Sequence, residues 1–240
     1  MQLYIIRHAQ SGNNALFAAG QGAQVRTHDP QLTPLGRRQA ECLAEHLARA
    51  NPGLPTDTGD SQNRAGFGLT HIYCSLMVRA VATGAVVAQR LGLPLHGWPD
   101  WHEEGGLYRD GDDGARLPEA GPTRRDFARD YPSLVVPADV GEGGWWNRAY
   151  EGPELRPARA RRVLAELYAR HGERDDHVAV ITHGGFYNHV IGALLDIAPP
   201  YKLNYLMNNT GITRIALLPE GRYVVYQNRC DHLPDDIVTY

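Results

Sequence analysis

The chain has 240 residues, of which 42% are hydrophobic and 21% are charged, and its formal net charge is −3. This apolar content is typical of a globular fold and too high for a disordered chain, while the negative charge argues against a nucleic-acid-binding protein. Three cysteines without a CxxC pair argue against a zinc ribbon or a redox motif. Because no secretory signal or apolar run of about 20 residues occurs, we expect a cytoplasmic protein without a membrane partner.

Apolar strands alternate with amphipathic helices along the chain. Leu3–Ile6 is a short apolar run that suits a buried parallel strand. Thr33 and Pro34 are typical of an N-cap and a first helical residue, and the helical period continues to Ala50. The other predicted elements are strands at His71–Ser75 and Val178–Thr182, helices at Val78–Leu91, Arg156–His171 and Gly185–Leu195, and a hairpin of Ile212–Leu218 and Tyr223–Gln227. This alternation predicts one three-layer α/β/α domain over residues 1–240, with a mostly parallel sheet.

Residues 97–157 interrupt this alternation. They hold 17 of the chain's 26 glycines and 16 prolines taken together, and all four tryptophans. A linker would be polar and would lack tryptophan, so the segment is predicted to be a folded insertion or lid within the domain. Two interpretations of Trp145 and Trp146 stay open: the rings close over a bound ligand, or they cover a small core of the insertion.

Side chains suited to phosphate follow three of the predicted strands. Arg7 and His8 follow the first strand, Arg79 stands four residues after Ser75 at the end of the second, and His183 follows the third. Ligands of doubly wound sheets bind beyond these strand ends, arginine binds phosphate oxygens, and histidine attacks or transfers protons near neutral pH. A lone histidine or arginine is more often structural, but four at one edge favour a phosphate site. We expect no metal, because Arg7 would repel a cation and no carboxylate has metal-motif spacing to His183.

Several blocks in chain order resemble the signatures of the histidine phosphatase superfamily, the phosphoglycerate-mutase-like proteins. They are Leu3–Asn14 around Arg7-His8-Ala9-Gln10-Ser11, Leu32–Ala40, Cys74–Thr83, Thr182–Gly185 and the late strand entry Asn209–Thr213. Ala9 stands where the family usually has glycine, and Leu76 where proline is usual. The resemblance implies a phosphoglycerate mutase-like fold and an enzyme of the phosphatase branch.

The resemblance also implies a role for each residue of the phosphate pocket. His8 would be the nucleophile that forms a phosphohistidine, with its other ring nitrogen donating to a backbone carbonyl. Arg7, Arg79 and His183 would hold the phosphoryl oxygens and stabilise the transition state. Further hydrogen bonds to the phosphate would come from Ser11, Asn14 and the backbone of Gly184.

The family also needs a carboxylic acid that protonates the leaving oxygen and then activates water. The segment Trp101–Gly106 occupies the place of this acid in the chain. By register Glu103 is the candidate, and Glu104 is the rival. A solvated acidic turn without a catalytic role is the other interpretation.

The alternative activity within the same fold is that of a cofactor-dependent phosphoglycerate mutase. The chain departs from the mutase pattern at three places. Mutases have Thr-Gly-Trp where this chain has Gly20–Val25, and the residues after Glu103 and at Gly184–Phe186 also differ from the mutase pattern. A second acidic residue, Glu104, also disfavours a small, multiply anionic substrate. A non-catalytic phospholigand-binding protein is less favoured, because no expected site residue is missing.

The predicted partner is a small phosphorylated metabolite, with neither nucleic acid nor membrane. No cofactor is expected, and 2,3-bisphosphoglycerate would be needed only by a mutase. The oligomeric state stays open, with a homodimer as one alternative.

Overall fold

The computed structural model describes residues 1–21, 26–51, 53–54, 60–200 and 204–240. Within these ranges the strands are β1 (Gln2–Arg7), β2 (His71–Cys74), β3 (Leu95–Gly97), β4 (Tyr108–Asp110), β5 (Arg116–Pro118), β6 (Leu134–Val135), β7 (His177–Thr182), β8 (Ile212–Leu218) and β9 (Gly221–Arg229). The α-helices are α1 (Gly12–Ala18), α2 (Pro34–Leu47), α3 (Val78–Leu91), α4 (Arg124–Asp130), α5 (Arg156–His171) and α6 (Gly184–Leu194). None of these described helices is long and apolar enough to cross a membrane.

The central sheet has seven strands in the order β6-β3-β2-β7-β1-β8-β9. The pairs from β6 to β1 are parallel, whereas β1–β8 and β8–β9 are antiparallel. Arg7 of β1 pairs with Thr182 of β7, and Cys74 of β2 pairs with Ile181. The carboxyl ends of these three strands are therefore neighbours at one edge of the sheet.

Apolar layers cover both faces of the sheet. Tyr4 and Ile6 of β1 share a core cluster with buried residues of α2 and α3, and Leu3 and Ile5 share another with α5 and α6. All four side chains are fully buried, because alternate residues of a strand point to opposite faces. The structure thus confirms the predicted three-layer α/β/α class with a mostly parallel sheet.

The predicted strands and helices are present, with shifts at their ends. The second helix ends at Leu47, earlier than the predicted Ala50, and begins with the expected Thr33 cap. The last strand, β9, is longer at both ends than the predicted Tyr223–Gln227. The short helix α1 was not predicted from the sequence.

The insertion contains regular structure of its own. β4 and β5 form a separate antiparallel pair, and β6 joins the central sheet as an edge strand. Trp145 and Trp146 are 3% and 2% exposed and belong to the core cluster on the α2–α3 face. A Cβ at Gly106 would overlap the Trp146 ring. This burial favours the interpretation in which the two rings cover a core, because neither ring is free to close over a ligand.

Candidate active site

The four residues predicted to bind phosphate lie together at the carboxyl edge of the sheet. Arg7 ends β1 and His8 follows it, Arg79 lies in the first turn of α3, and His183 is the N-cap of α6. None of the four is more than 9% exposed. The His8 and His183 rings are 5.1 Å apart between centroids. The convergence expected from the strand ends is therefore found in the fold.

His8 is held as a neutral imidazole. Its Nε2 accepts a hydrogen bond from Arg79 Nε at 3.1 Å, which assigns the ring proton to Nδ1, and Nδ1 donates to Ala9 O at 2.7 Å. Burial, and then the guanidinium groups of Arg79 and Arg7, lower the pKa of His8 well below its usual value. The neutral ring is the form that can act as a nucleophile, and its tautomer leaves Nε2 as the attacking atom.

The two residues that depart from the resembled signature, Ala9 and Leu76, are buried in apolar surroundings. Ala9 is fully buried in a small cluster with Leu32 and Ala40. Leu76 is fully buried as well, and its side chain packs against Gly97, where a Cβ would lie only 2.5 Å from it.

Arg7 is fixed by the C-terminal part of the chain. Its NH1 donates to Met207 O, and its guanidinium group lies 4.9 Å from the centre of the Tyr240 ring. Among the described residues, Arg7 Nε has no hydrogen-bond partner although it is buried. A Cβ at Gly184 would lie 3.5 Å from this nitrogen, so the start of α6 adjoins it. A buried guanidinium donor without an acceptor suits an incoming anion.

Asp29 supports Arg79 and was not among the predicted site residues. Its Oδ1 accepts a hydrogen bond from Val78 N at 3.0 Å and lies 3.7 Å from Arg79 NH1. Burial raises the pKa of Asp29 to about 6, and the charge of Arg79 and the Val78 N–H oppose this rise. The Asp29–Val78 contact spans 49 positions of the chain, so no local pattern reveals it.

His183 has no hydrogen-bond partner among the described residues. Both of its ring nitrogens are buried without a hydrogen bond to any described residue. Burial, and then the charge of Arg79 and the neighbouring His8, lower the pKa of His183 well below its usual value. Unpaired buried polar atoms are costly, and a phosphoryl oxygen beside this ring would supply the missing partner.

Glu103 lies against the start of α6. Its Oε1 accepts hydrogen bonds from Phe186 N at 2.8 Å and Glu104 N at 2.9 Å, and its Oε2 accepts one from Gly185 N at 3.2 Å. The free N–H groups at this end of a helix have no partner within the helix and are available to an acceptor oxygen. A Cβ at position 185 would lie 2.6 Å from Glu103 Oε1, so glycine there permits the contact.

Glu104 is bound on both of its oxygens. Oε2 lies 3.0 Å from Arg156 NH1, and Oε1 lies 2.8 Å from His189 Nε2. The His189 hydrogen bond, and then the Arg156 charge, lower the pKa of Glu104 against the effect of its partial burial. A carboxyl group that is held ionised in this way is poorly suited to donate a proton. The geometry therefore gives the two candidates for the acid different partners and makes Glu104 the less suited of the two, while the role of Glu103 stays a prediction.

Ser11 and Asn14 use their side chains to begin α1. Ser11 Oγ donates to Asn14 Oδ1 at 2.9 Å, and each side chain also accepts from the other's backbone N–H in a capping box. Asn14 Oδ1 accepts a further bond from Asn209 Nδ2 at 3.4 Å. The Ser11 hydroxyl proton is therefore used inside the protein. Contacts of Ser11, Asn14 and the Gly184 backbone with phosphate stay predictions.

Two other clusters of described side chains have the spacing of metal ligands. They are His46, Asp231 and His232, and His71, His171 and Asp176, with the potential ligand atoms of each within 4.8 Å of one another. In the second cluster His171 is already hydrogen-bonded, to Asp176 at 2.7 Å and to Tyr73 at 3.0 Å. Neither cluster contains a predicted site residue.

Comparison with known proteins identifies the family. The model of the histidine phosphatase superfamily (branch 1) matches residues 3–55 and 61–229. The chain therefore belongs to this superfamily, as its motifs predicted. A curated protein of Hydrogenobacter thermophilus named "Putative phosphoserine phosphatase 2" is 25% identical over 231 residues, which cover 96% of this chain and 97% of that protein.

Solved structures with the same fold include other phosphatases. The Entamoeba histolytica phosphoserine phosphatase in complex with 3-phosphoglyceric acid has a TM-score of 0.60 at 18% identity, over 97% of this chain and 99% of its own. The mycobacterial glucosyl-3-phosphoglycerate phosphatase in complex with VO3 has a TM-score of 0.57 at 22% identity, over 95% and 99%. The solved structures confirm the expected fold, and the family match with the curated relative confirms the expected phosphatase class. Residues 22–25, which carry part of the predicted contrast with mutases, lie outside the described residues.

Proposed function

We propose that the protein hydrolyses phosphomonoesters through a phosphohistidine formed on Nε2 of His8. The observation that carries this proposal is the hydrogen bond of 3.1 Å from Arg79 Nε to His8 Nε2. Through this bond the lone pair of the neutral His8 points at the Arg79 guanidinium group. The same guanidinium group is proposed to bind a phosphoryl oxygen when substrate is present. A bound phosphate replaces the ring nitrogen as acceptor for Arg79 and brings phosphorus to the nucleophile.

In the first step His8 Nε2 forms a bond to phosphorus while the bond to the ester oxygen breaks. Arg7, Arg79 and His183 bind the non-bridging oxygens and stabilise their charge. The unpaired buried nitrogens of Arg7 and His183 support this role, since both need a polar partner. The negative charge of the substrate also favours protonation of His183, which the two guanidinium groups oppose in its absence.

Glu103 acts as the acid and then as the base. It gives a proton to the leaving oxygen in the first step, and its carboxylate takes a proton from water as that water attacks the phosphohistidine. Inorganic phosphate leaves and neutral His8 is restored. The charge of Glu103 opposes the burial-induced lowering of the pKa of Arg7 and of Arg79, which supports a position beside the phosphate pocket.

The substrate proposed is a small phosphorylated metabolite, as the names of the similar phosphatases suggest. Because water is the phosphoryl acceptor, the reaction needs no cofactor. A mutase would instead return the phosphoryl group to a small acid and would depend on 2,3-bisphosphoglycerate.

The test is release of inorganic phosphate by the wild type and by His8→Ala and His96→Ala. Loss of the nucleophile should lower the hydrolysis rate by at least ~10³-fold, since bond formation and transition-state stabilisation fail together. His96, in β3, packs against the Tyr73 ring at 5.7 Å between centroids and serves as the matched histidine control. With ³²P-labelled substrate, an acid-labile label bound to the wild type but not to His8→Ala would identify the phosphohistidine intermediate.

Two results would contradict the proposal. One is nearly unchanged turnover by His8→Ala. The other is isomerisation of 3-phosphoglycerate without phosphate release when 2,3-bisphosphoglycerate is present, which would define a mutase.

A further inference from the structure

Two segments of the insertion and the loop before α2 bring five polar and aromatic side chains into contact. We call this set the arginine–tyrosine cluster, and its members are Arg26, Tyr108, Arg116, Tyr150 and Arg156. The Tyr108 and Tyr150 rings meet edge to face at 4.9 Å. The Arg26 guanidinium group lies 4.7 Å from the Tyr108 ring centre, and that of Arg116 lies 4.4 Å from the Tyr150 ring centre.

Hydrogen bonds fix the orientation of these groups. Arg26 NH1 donates to the Tyr108 hydroxyl at 2.9 Å, Arg156 NH2 donates to the Tyr150 hydroxyl at 3.1 Å, and Arg116 NH1 donates to the same hydroxyl. Stacking on an aromatic ring occupies the face of a guanidinium group and leaves its N–H edge available to an anion. The cluster is therefore preorganised for a planar or tetrahedral oxyanion.

The cluster carries more positive than negative charge. Glu104 neutralises Arg156 at 3.0 Å, but neither Arg26 nor Arg116 forms a salt bridge with a described carboxylate. Arg109 follows Tyr108 in β4 of the same hairpin. Unlike Arg26 and Arg116, it forms a salt bridge, with Glu119 at 2.8 Å. Two exposed guanidinium groups thus remain for a ligand.

The cluster lies beside the segment that carries the proposed acid. At one end the two tyrosine rings lie against Gly105, where a Cβ would overlap the Tyr150 ring and would be 2.9 Å from the Tyr108 ring. At the other end Arg156 binds Glu104, the residue next to the proposed acid Glu103. The cluster consequently lies on the side where the leaving group departs, if Glu103 protonates it.

We propose that the arginine–tyrosine cluster binds a second anionic group, carboxylate or phosphate, on the leaving part of the substrate. This inference rests on the proposed phosphatase activity and narrows its substrate class to phosphomonoesters with two anionic groups. It reverses the expectation that Glu104 disfavours such substrates, because Arg156 and His189 already bind that carboxylate. It also assigns recognition of the leaving group to the arginine–tyrosine cluster instead of to a lid formed by Trp145 and Trp146.

The test compares two pairs of substrates. 3-Phosphoglycerate and glycerol 3-phosphate differ by a carboxylate, and fructose 1,6-bisphosphate and fructose 6-phosphate differ by a phosphate. For each pair the preference is the ratio of the two kcat/KM values. In at least one pair we expect the wild type to prefer the substrate that carries the second anionic group. The pair that shows this preference tells whether the cluster binds a carboxylate or a phosphate.

Arg116→Gln should lower this preference about tenfold, the effect of one charge-assisted hydrogen bond, and mainly through KM. Arg109→Gln, which removes a paired arginine from the same hairpin, should keep the wild-type preference. Thermal unfolding of both variants checks that the hairpin is retained, and Arg26→Gln repeats the measurement from outside the insertion.

The outcomes are distinguishable. Two results would overturn this inference and leave the phosphatase proposal intact. One is hydrolysis with no preference for the substrates that carry a second anionic group. The other is an equal preference in the wild type, Arg116→Gln and Arg26→Gln. Failure of the wild type to hydrolyse all four esters and p-nitrophenyl phosphate would overturn the proposed function and this inference with it.

Discussion

Glu103 and Glu104 are adjacent in the chain but have different environments. Glu103 accepts three backbone hydrogen bonds beside α6, whereas Glu104 is bound to Arg156 and His189. The first arrangement positions a carboxyl group without pairing it to a cation. The second keeps a carboxylate ionised. The same residue type at successive positions therefore has two different environments, and only that of Glu104 includes charged partners.

Substitution of each glutamate by glutamine tests this division. Glu103→Gln should lower kcat for an alkyl phosphate by about 10²-fold or more, because general acid catalysis is lost. The loss should be much smaller for p-nitrophenyl phosphate, whose leaving group needs little protonation. Glu104→Gln is the matched control and should change both rates by a similar factor. A leaving-group-dependent loss in Glu104→Gln alone would reverse the assignment.

Asp29 provides a second prediction, for stability against pH. Its pKa rises from 3.8 to about 6 on folding, so the folded protein retains this proton to higher pH than the unfolded chain does. The contribution to stability is complete below about pH 4 and is lost as the pH rises through 6. Between pH 5 and 7.5 the loss should be about 1.4 kcal/mol, the equivalent of one pKa unit.

The measurement is the free energy of unfolding by urea at several pH values. The free energy of unfolding of the wild type minus that of Asp29→Asn should fall by about 1.4 kcal/mol between pH 5 and 7.5, since asparagine cannot ionise. Asp139→Asn, at an exposed position of the insertion, is the control and should give a flat difference. A flat difference for Asp29→Asn as well would mean that the carboxyl group does not titrate in this range.

The convergence of the candidate residues at the strand ends could be predicted from the sequence, and the residues that support them could not. Arg7, His8 and His183 follow apolar runs that identify strands by composition alone. Asp29 and Met207 act through contacts that span 49 and 200 positions, respectively. Such contacts depend on the three-dimensional arrangement, and no local spacing encodes them.

At the scale of elements, prediction succeeded where burial produces a regular pattern. The apolar runs of β1 and β7 are buried on both faces, and α3 ends at Gly92 in the left-handed conformation that glycine adopts readily. The missed elements are short. β3 has three residues and β6 has two, too few to display a period, and both owe their place to pairing with β2 or with each other.

Helix α1 was missed for a different reason. Its capping residues Ser11 and Asn14 belong to the block that resembles the family signature, and that resemblance predicts phosphate binding for them. In the structure their side chains satisfy each other and the first backbone N–H groups of the helix. One pair of polar residues is thus enough to explain both a signature and a cap, and the sequence alone does not distinguish the two.

At the scale of the whole molecule, the insertion shares its core with the sheet. Trp145 and Trp146 belong to the same cluster as Tyr4 and Ile6 of β1, and Trp98 and Trp101 belong to the cluster on the opposite face. The apolar residues of the insertion therefore have no separate core on which to fold. We expect residues 1–240 to unfold as one cooperative unit rather than as a domain with an independent lid.

The tryptophans make this expectation measurable without a label. All four lie in the insertion, whereas α2, α3, α5 and α6 lie outside it or begin at its end, so fluorescence reports the insertion and far-UV circular dichroism reports mainly the rest. The two urea transitions should have the same midpoint. Trp146→Ala should lower both midpoints together, since removing a buried aromatic side chain costs about 3–5 kcal/mol of shared core. A fluorescence transition that precedes the dichroism transition, and that alone moves in Trp146→Ala, would instead define the insertion as a separately folding unit.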